Sequence, residues 1–330
     1  MGFSFESKTV ADCISYMKII YKQNQYTLDE FSKQFKNGDF QLELLLSECN
    51  LLYRGTKFCF EDYKKQIHEL SDTLKFSKLY STSIISIEPY LAICNYDFYK
   101  AAKFLEKAET CLQTARFYLM KSANILEYDA VLPWKYGYQP IFDIRATNFT
   151  TAVIWYNNCF DYILQIASLA FELYKKMPKY QDTMTLEDIL KSCTYKNIRN
   201  IHNNNPNNTA LNELWQILDE CHTAISDLNN WANYAKHKGG IGIIGLKPDL
   251  PYKIYIGRPG EEPESRTDEF EPIKLDLDDS IQKMTGIHEA LLSCISKLVD
   301  FIDFSKAKYT INEEGHFVIP SKDSYVKIRL

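Results

Sequence analysis

The sequence predicts a mainly α-helical protein built as a helical bundle. Over most of the 330 residues, apolar side chains recur at three- and four-residue spacing, which aligns them on one stripe of a helix. Alternating runs rich in β-forming residues are confined to the stretch after Gly240 and to the end of the chain. Because no internal repeat of about 20 to 50 residues is present, a solenoid is disfavoured.

Residues 1–140 are predicted to form an N-terminal helical region. Thr27 and Glu30 match a capping box, in which the two side chains satisfy free amide groups at the start of a helix. Pro133, Gly137 and Pro140 then interrupt the periodic pattern, which places a boundary near residue 140. The helices expected before this boundary span residues 9–23, from Thr27 onward, about 40–53, 60–80 and 97–127.

Residues 141–330 are predicted to form a helical bundle with small β elements, and the sequence is also compatible with one continuous domain. The asparagine-rich stretch at 195–209 is predicted to be a polar loop. A small β hairpin or meander is expected at about 241–277, and a β tail of two or three strands at about 308–330. The helices expected in this part span about 147–176, from the Thr185 cap to Cys193, about 209–237 and from Asp278 to about Ser305.

Composition and charge exclude several classes of protein. The formal net charge of −5 gives no general attraction to a nucleic-acid backbone or an anionic membrane, so RNA binding would need a local patch. Nine cysteines without a CxxC pair indicate buried thiols, a reducing cytoplasm and no zinc site. The most apolar run, residues 151–174, contains Asn157, Asn158 and Asp161, which predicts a buried helix and no membrane span. Phosphate-loop, dinucleotide-binding, zinc-protease and serine-hydrolase signatures are absent, so no cofactor and no metal is expected.

The helix predicted before Gly239 ends in a row of polar side chains. Asn233 and His237 lie one turn apart on one face, with Lys236 beside them. Basic residues in a last helical turn stabilise free carbonyl groups, and Gly239 or Gly240 would supply a left-handed cap, so a helix end explains much of this row. Asn233 is explained less well, because asparagine in a helix interior normally needs a hydrogen-bond partner.

A second constellation contains Arg199 and His202. Metal-free RNA cleavage needs a group that exchanges a proton near neutral pH and a cation that stabilises the phosphorane. A histidine can be the first group, and an arginine, which is always charged, can be the second. The alternative is a polar loop in which Arg199 pairs with an acid and His202 is solvated. His222 lies inside an apolar stripe and is expected to be a core or boundary residue with one hydrogen-bond partner, whereas His288 is expected to be solvated.

Three features together resemble the HEPN superfamily of helical proteins. They are a long helix that ends in N-x-x-K-H, an R-N-x-x segment near the start of another helix, and a small β excursion before a final helix. The resemblance covers about 147–305 and implies a HEPN-like helical bundle. Many members of that superfamily are metal-independent RNases of toxin, antiphage or CRISPR-associated systems, which cut RNA as dimers with an R-x(4–6)-H motif at the dimer cleft.

This sequence departs from the family motif. Arg199 and His202 are separated by two residues, and the segment with Asn233, Lys236 and His237 contains no arginine. Either the catalytic pair is assembled from both segments, or the motif has decayed and the protein is a non-enzymatic member.

The leading hypothesis is therefore a HEPN-like cytoplasmic RNase of a prokaryotic defence or toxin system, with RNA as substrate and a homodimer as the active form. In this hypothesis His237 or His202 transfers the proton, Arg199 and Lys236 stabilise the phosphate charge, and Asn233 orients the histidine or holds the phosphate. The rival is a non-catalytic module for interaction with a protein or for dimerisation. A third hypothesis, an enzyme that acts on small nucleotides, needs a pocket that a sequence does not reveal.

Overall fold

The computed structural model describes residues 61–75, 80, 84, 89–124, 143–238, 240–244 and 272–330, and the backbone alone of 4–5, 50–53, 56–60, 88, 138–142, 255–256 and 264–265. Within these residues the protein is mainly α-helical, as predicted, and its strands form small sheets. The helices predicted at 9–23 and from Thr27 onward lie outside the described residues.

The described part of the N-terminal region contains a three-stranded antiparallel sheet with β2 in the centre. Its strands are β1 (Ser4–Phe5), β2 (Asn50–Tyr53) and β3 (Thr56–Cys59). The helix predicted to continue to residue 53 is therefore wrong at its end. A short apolar run such as Leu51 to Tyr53 fits a strand as well as a helix, and here its partners in the sheet decide.

Helices account for most of the remaining described chain. Two of them, α3 and α4, pack along each other for much of their length, and α9 packs on both. Helix α7 packs on α9, and α8 packs on α4. The helices are α1 (Phe60–Thr73), α2 (Glu88–Cys94), α3 (Tyr96–Ala123), α4 (Tyr138–Ala170), α5 (Leu186–Ser192), α6 (Tyr195–Asn204), α7 (Thr209–Ala224), α8 (Ser226–His237), α9 (Leu277–Ile302) and α10 (Lys322–Tyr325), with 3-10 helices at Leu173–Lys176 and Phe304–Ala307.

One hydrophobic core extends through the described helices, from Leu74 to Ile328. It contains residues on both sides of the boundary predicted near residue 140, because α3 and α4 pack directly on each other. Arg145 of α4 is buried in this core, where its Nε donates to the Ser122 carbonyl oxygen at 2.7 Å and its Nη2 to Asp278 Oδ1 at 2.7 Å. A single guanidinium thus joins α3, α4 and the start of α9.

His288 of α9 is fully buried, so the expectation that it is solvated is wrong. Its Nδ1 lies 2.9 Å from the Tyr156 hydroxyl of α4, and the two groups share a hydrogen bond. Met284 and Leu291, one turn before and after it, are also buried, which shows that His288 continues the apolar stripe of α9. Burial, followed by the nearby charge of Arg116, lowers the pKa of His288 to about 4.

Several helix boundaries differ from the predicted ones. Helix α4 begins at Tyr138 instead of about 147, and Pro140 lies in its first turn, where a missing N–H group removes no helical hydrogen bond. The helix predicted at 209–237 is divided at Ile225 into α7 and α8. The stretch at 195–209 is not a loop throughout, because α6 occupies its first ten residues. The capping box at Thr185 is confirmed: Asp188 N donates to Thr185 Oγ1 at 3.2 Å, and Thr185 N to Asp188 Oδ2 at 3.3 Å.

The strands after α8 do not form one hairpin. Strand β4 (Ile241–Ile243) pairs in parallel with β7 (Ile273–Leu275), while β5 (Tyr255–Ile256) pairs antiparallel with β6 (Glu264–Ser265). In parallel pairing the connection has to cross from one end of the sheet to the other, so β4 and β7 cannot be joined by a tight turn. The hairpin predicted at about 241–277 is therefore wrong for its outer strands.

The C-terminal tail contains one hairpin, formed by β8 (Thr310–Ile311) and β9 (Phe317–Val318), as predicted. The rest of the tail is not a strand, because α10 follows at Lys322. In the described parts of the chain, none of the helices combines the length and the hydrophobicity that a membrane span requires.

Candidate functional site

Helix α6 presents three polar or aromatic side chains on one face. It begins after Thr194, whose side chain accepts a hydrogen bond from Asn197 N at 3.3 Å. Ile198 and Ile201 are buried and fix the inner face of the helix. The residues left on the other side, at spacings of four and three, are Tyr195, Arg199 and His202.

Helix α7 presents a matching row. Its N-terminus is capped by Asn208, whose side chain accepts from Leu211 N at 3.0 Å. Leu211, Leu214, Leu218 and Cys221 are buried on the inner face. The half-buried residues at spacings of four and three are Trp215, Asp219 and His222.

The two rows meet in antiparallel order and form an aromatic ladder of four rings: His222, Tyr195, Trp215 and His202. The His222 and Tyr195 rings are stacked, with centroids 3.7 Å apart and planes 8° apart. Tyr195 lies 4.9 Å from Trp215, and Trp215 lies 5.2 Å from His202. The ladder therefore places one imidazole at each end, with two aromatic rings between them.

Hydrogen bonding and charge organise the His222 end of the ladder. The Tyr195 hydroxyl donates to Asp219 Oδ1, and burial together with this carboxylate raises the pKa of Tyr195 to about 12. Burial lowers the pKa of His222, and the charge of Asp219 opposes this shift while that of Arg199 adds to it. His222 is therefore a boundary residue, as expected, and favours the neutral form near pH 7, but the hydrogen-bond partner expected for it is not seen among the described residues.

Arg199 is exposed beside the ladder. Its guanidinium has no hydrogen bond and no ion pair with any residue that the structure describes, so the predicted pairing with an acid is not seen there. Its charge nevertheless acts on both Tyr195 and His222. All donors of this guanidinium are therefore available to an anionic ligand.

The polar row of α8 forms a separate group, which we call the Lys236 cluster: Lys236, Asn229 and Asn157. Lys236 Nζ donates to Asn157 Oδ1 of α4 at 2.6 Å, and Asn157 Nδ2 donates to Asn229 Oδ1 at 3.2 Å. Asn233 and His237 are exposed, and within the described residues their side chains make no hydrogen bond. The specific hydrogen bond anticipated for Asn233 is thus made by Asn229, one turn earlier.

The end of α8 has the cap that the glycines predicted. Gly240 has a φ of +86° and donates its N–H to the Tyr234 carbonyl oxygen at 3.1 Å. The same carbonyl oxygen also accepts from Lys238 N at 3.2 Å, so Gly240 turns the chain back over the last turn of α8 in the left-handed conformation that glycine favours. The left-handed turn explains the presence of Gly240. It does not explain the hydrogen bond that Lys236 donates to Asn157, because Asn157 lies on a different helix, α4.

Helix α4 contacts both the ladder and the Lys236 cluster. Phe160 of α4 is buried next to His222, with ring centroids 5.9 Å apart, while Asn157 and Asp161 lie on the neighbouring side of the same turns, towards Lys236. Although Asp161 reaches solvent, desolvation raises its pKa and the charge of Lys236 opposes that shift. No hydrogen bond, ion pair or ring contact between described residues joins Arg199 or His202 to Asn233, Lys236 or His237. The five predicted site residues thus fall into two groups that no contact among the described residues joins: Arg199 and His202 on α6, and Asn233, Lys236 and His237 on α8.

The structure adds four residues to the site that sequence reasoning did not assign: Tyr195, Trp215, Asp219 and His222. A signal for them is present in the sequence, because each helix repeats a bulky or charged residue at the same spacings of four and three. The signal was hidden because Trp215 and His222 also fit the apolar stripe of the helix predicted at 209–237.

Among the described residues, no group of three or more His, Cys, Asp or Glu side chains is arranged to hold a metal ion. Comparison of the chain with protein-family models, with curated protein sequences and with solved structures gives no significant match.

Proposed function

We propose that this protein is a metal-independent endoribonuclease with a HEPN-like helical bundle, and that it binds single-stranded RNA across α6 and α7. The observation that carries the proposal is the pairing of Arg199, an exposed cation with no described ion-pair partner, with His222, a half-buried imidazole whose pKa is lowered. A cation and a neutral base on one surface match what RNA cleavage requires.

In this proposal His222 is the general base. Its neutral imidazole takes the proton of a ribose 2′-hydroxyl, and the 2′-oxygen attacks the adjacent phosphorus. The bond between phosphorus and the 5′-oxygen of the next nucleotide breaks, and that oxygen takes a proton from water. The products are a 2′,3′-cyclic phosphate and a 5′-hydroxyl, so no metal or other co-reactant is needed.

Arg199 stabilises the negative charge that develops on the phosphorane. Its fork of N–H donors suits two phosphate oxygens at once, which a lysine would bind only as a point charge. Tyr195 and Asp219 are positioning residues in this proposal, because the stacked phenol ring and the nearby carboxylate fix the orientation and the protonation of His222.

The other predicted site residues are assigned to binding. Two rings separate His202 from His222, so the two imidazoles do not flank the same phosphate within one chain, and His202 with Trp215 is assigned to a neighbouring base. Lys236, which contacts Asn157 of α4, is assigned to the RNA backbone further along. Asn233 and His237, exposed beside it, complete that phosphate contact.

The test is cleavage of a fluorescent single-stranded RNA in EDTA by the wild type and by matched variants. We expect His222→Ala to lower the rate by about 10²- to 10⁴-fold and Arg199→Ala to lower it by about 10²-fold. Lys236→Ala and His237→Ala are expected to weaken binding, with a smaller effect on the cleavage of bound RNA. His316→Ala, at an exposed turn, is the control and should leave both quantities unchanged.

The non-catalytic alternative is favoured by one observation: the inner rings of the ladder cover each other's faces, so the ladder also serves to hold α6 against α7. In that case the wild type leaves RNA intact, and Tyr195→Ala lowers only the stability of the protein. Cleavage that is equal in the wild type, His222→Ala and Arg199→Ala would contradict the nuclease proposal.

A further inference from the structure

The aromatic ladder is closed at one end and open at the other. At the closed end, Phe160 lies beside the His222 ring, with centroids 5.9 Å apart. At the other end, Trp215 stacks on one face of the His202 ring, with planes 21° apart. His202 is half-buried, and no other ring among the described residues stacks on it. The open end of the ladder is therefore the second face of His202.

Asn203 widens this end of the ladder. His202 Nδ1 donates to Asn203 Oδ1 at 3.2 Å, and Asn203 is exposed. The N–H bond of an imidazole lies in the plane of its ring, so the planar amide borders the edge of the ring. We call these two side chains the platform. It is longer than a single imidazole in the direction of the amide.

The platform is held in position by the end of α6. Asn205 N donates to the His202 carbonyl oxygen at 2.9 Å, and Asn205 Nδ2 donates to the Ile201 carbonyl oxygen at 2.8 Å. Both carbonyl groups of the last turn thus have partners, and Ile201 is buried below them. Because the turn that carries His202 is already fixed, binding of a ligand to the platform would cost little conformational entropy.

Arg199 provides a cation next to the platform. It precedes His202 by three residues and Asn203 by four, so the three side chains share one face of α6, roughly 4.5 to 6 Å apart along the helix axis. Its guanidinium is exposed and has no ion pair with any described residue. In a nucleotide, one ribose separates the base from its phosphate. A phosphate bound to Arg199 therefore leaves its base close to the platform.

We propose that the platform binds a purine base of single-stranded RNA, which stacks on the open face of His202 and extends the ladder. This inference rests on the proposed function, because it specifies the base that is assigned there to His202. The two fused rings of a purine cover both the imidazole and the amide, whereas the single ring of a pyrimidine covers the imidazole alone. Stacking does not read the edge of the base, so adenine and guanine are both accepted.

The test compares the affinity of the full chain for two short single-stranded oligonucleotides at one salt concentration. One is oligouridine, and the other has one central adenine in place of a uracil. Every ribose carries a 2′-O-methyl group, so that the proposed attack by the 2′-oxygen is blocked and binding is measured without cleavage. By fluorescence anisotropy, we expect the oligonucleotide with adenine to bind roughly three- to tenfold more tightly. With 2-aminopurine in place of the adenine, its fluorescence should fall on binding as the base stacks.

Variants of the platform identify the surface that is responsible. His202→Ala should weaken binding of the adenine oligonucleotide by about 5- to 100-fold and remove the preference. His202→Phe keeps a flat ring at this position and should retain most of the affinity. Asn203→Ala should lower the preference for adenine, whereas Asn207→Ala, exposed in the same asparagine-rich stretch, is the matched control and should bind like the wild type. Far-UV circular dichroism checks that each variant is folded.

The outcomes separate this inference from the nuclease proposal. Equal affinity for the two oligonucleotides, while the wild type still cuts unmodified RNA, would overturn the purine platform alone. A preference for adenine that persists in His202→Ala would overturn it as well. A preference that depends on His202, in a chain that leaves RNA intact, would support the platform and contradict the nuclease. A chain that binds neither oligonucleotide would contradict both.

Discussion

The protonation of His222 depends on three effects of its surroundings that act in different directions. Burial against Tyr195 and Phe160 favours the neutral imidazole, Arg199 favours it further, and Asp219 favours the charged form. The net effect is a pKa below the ordinary value of histidine. A general base that works near pH 7 has to be unprotonated there, so this balance is what the proposed chemistry needs.

The first prediction concerns the pKa of His222, measured from its imidazole resonances during an NMR titration. Arg199→Gln removes the positive charge and should raise this pKa, whereas Asp219→Asn removes the negative charge and should lower it. Asp219→Asn keeps the size and planarity of the side chain, and Arg199→Gln keeps a planar polar end group on a shorter side chain. If both left the titration of His222 unchanged, the described proximity of these groups would be wrong.

Asp219 also accepts a hydrogen bond within the ladder, and the uncharged variant Asp219→Asn retains this ability. The Tyr195 hydroxyl donates to its carboxylate, and an amide oxygen in Asp219→Asn accepts the same hydrogen bond. Tyr195→Phe, in contrast, keeps the stacked ring and removes the bond. We expect Tyr195→Phe to lower the free energy of unfolding by about 1 kcal/mol in urea titrations, and Asp219→Asn to lower it less. Equal losses in the two variants would contradict this role of the bond.

At the scale of helices and strands, the ends of some elements could be predicted because a capping residue or a glycine marks them in the sequence. The box of Thr185 and Asp188 starts α5, Asp276 caps α9 at Leu277, close to the predicted start, and Gly240 ends the turn after α8. In each case one side chain, or one backbone conformation, satisfies groups within a few residues of itself, and such interactions can be inferred from sequence alone.

Elements that depend on distant contacts could not be predicted in the same way. The break between α7 and α8 falls at Ile225, a buried residue of an apolar stripe that continues without interruption through Cys221 and Leu228. Helix α6 has Ile198 and Ile201 as its buried residues, too few to reveal a helical period. The aromatic ladder could not be predicted for the same reason, because it exists only when α6 is a helix packed against α7.

The third prediction concerns the junction of α3, α4 and α9 at Arg145. Asp278→Ala would leave the buried guanidinium without this carboxylate, and we expect the free energy of unfolding to fall by about 2 to 4 kcal/mol. Lys283→Ala is the control, because its ion pair with Asp227 is solvent-exposed and should contribute less than about 1 kcal/mol. Urea unfolding that shows the same loss for both variants would contradict the burial of this pair.

For the whole molecule, the core predicts how stability depends on pH. His288 has a pKa of about 4 in the folded protein and an ordinary value of 6.5 when unfolded, so the unfolded chain binds more protons between these values. Its contribution is therefore fully present above pH 6.5 and is lost as the pH falls towards 4. We expect this group alone to lower the free energy of unfolding by about 3 kcal/mol over that range.

His288→Gln should remove this part of the pH dependence, because glutamine does not titrate. His68→Gln, at an exposed position of α1, should keep the slope of the wild type. Urea unfolding at a series of pH values measures the slope for each variant. An unchanged slope in His288→Gln would show that His288 is not buried in its neutral form.

The charge of the whole molecule restricts where RNA would bind. The chain has a net charge of −5, so RNA binding must come from a local surface. In the proposal, Arg199 beside the ladder and Lys236 near the end of α8 are the cations of such a surface. Comparing RNA that carries its 2′-hydroxyl groups with RNA in which one nucleotide is 2′-deoxy tests the proposed attack at a single bond.

The most direct measurement is mass spectrometry of the products after incubation of the two RNAs with the wild type in EDTA. We expect fragments with a 2′,3′-cyclic phosphate and a 5′-hydroxyl, no cleavage after the 2′-deoxy nucleotide, and loss of the fragments with His222→Ala. Intact RNA with the wild type, cleavage after the 2′-deoxy nucleotide, or the same fragments with His222→Ala would contradict it.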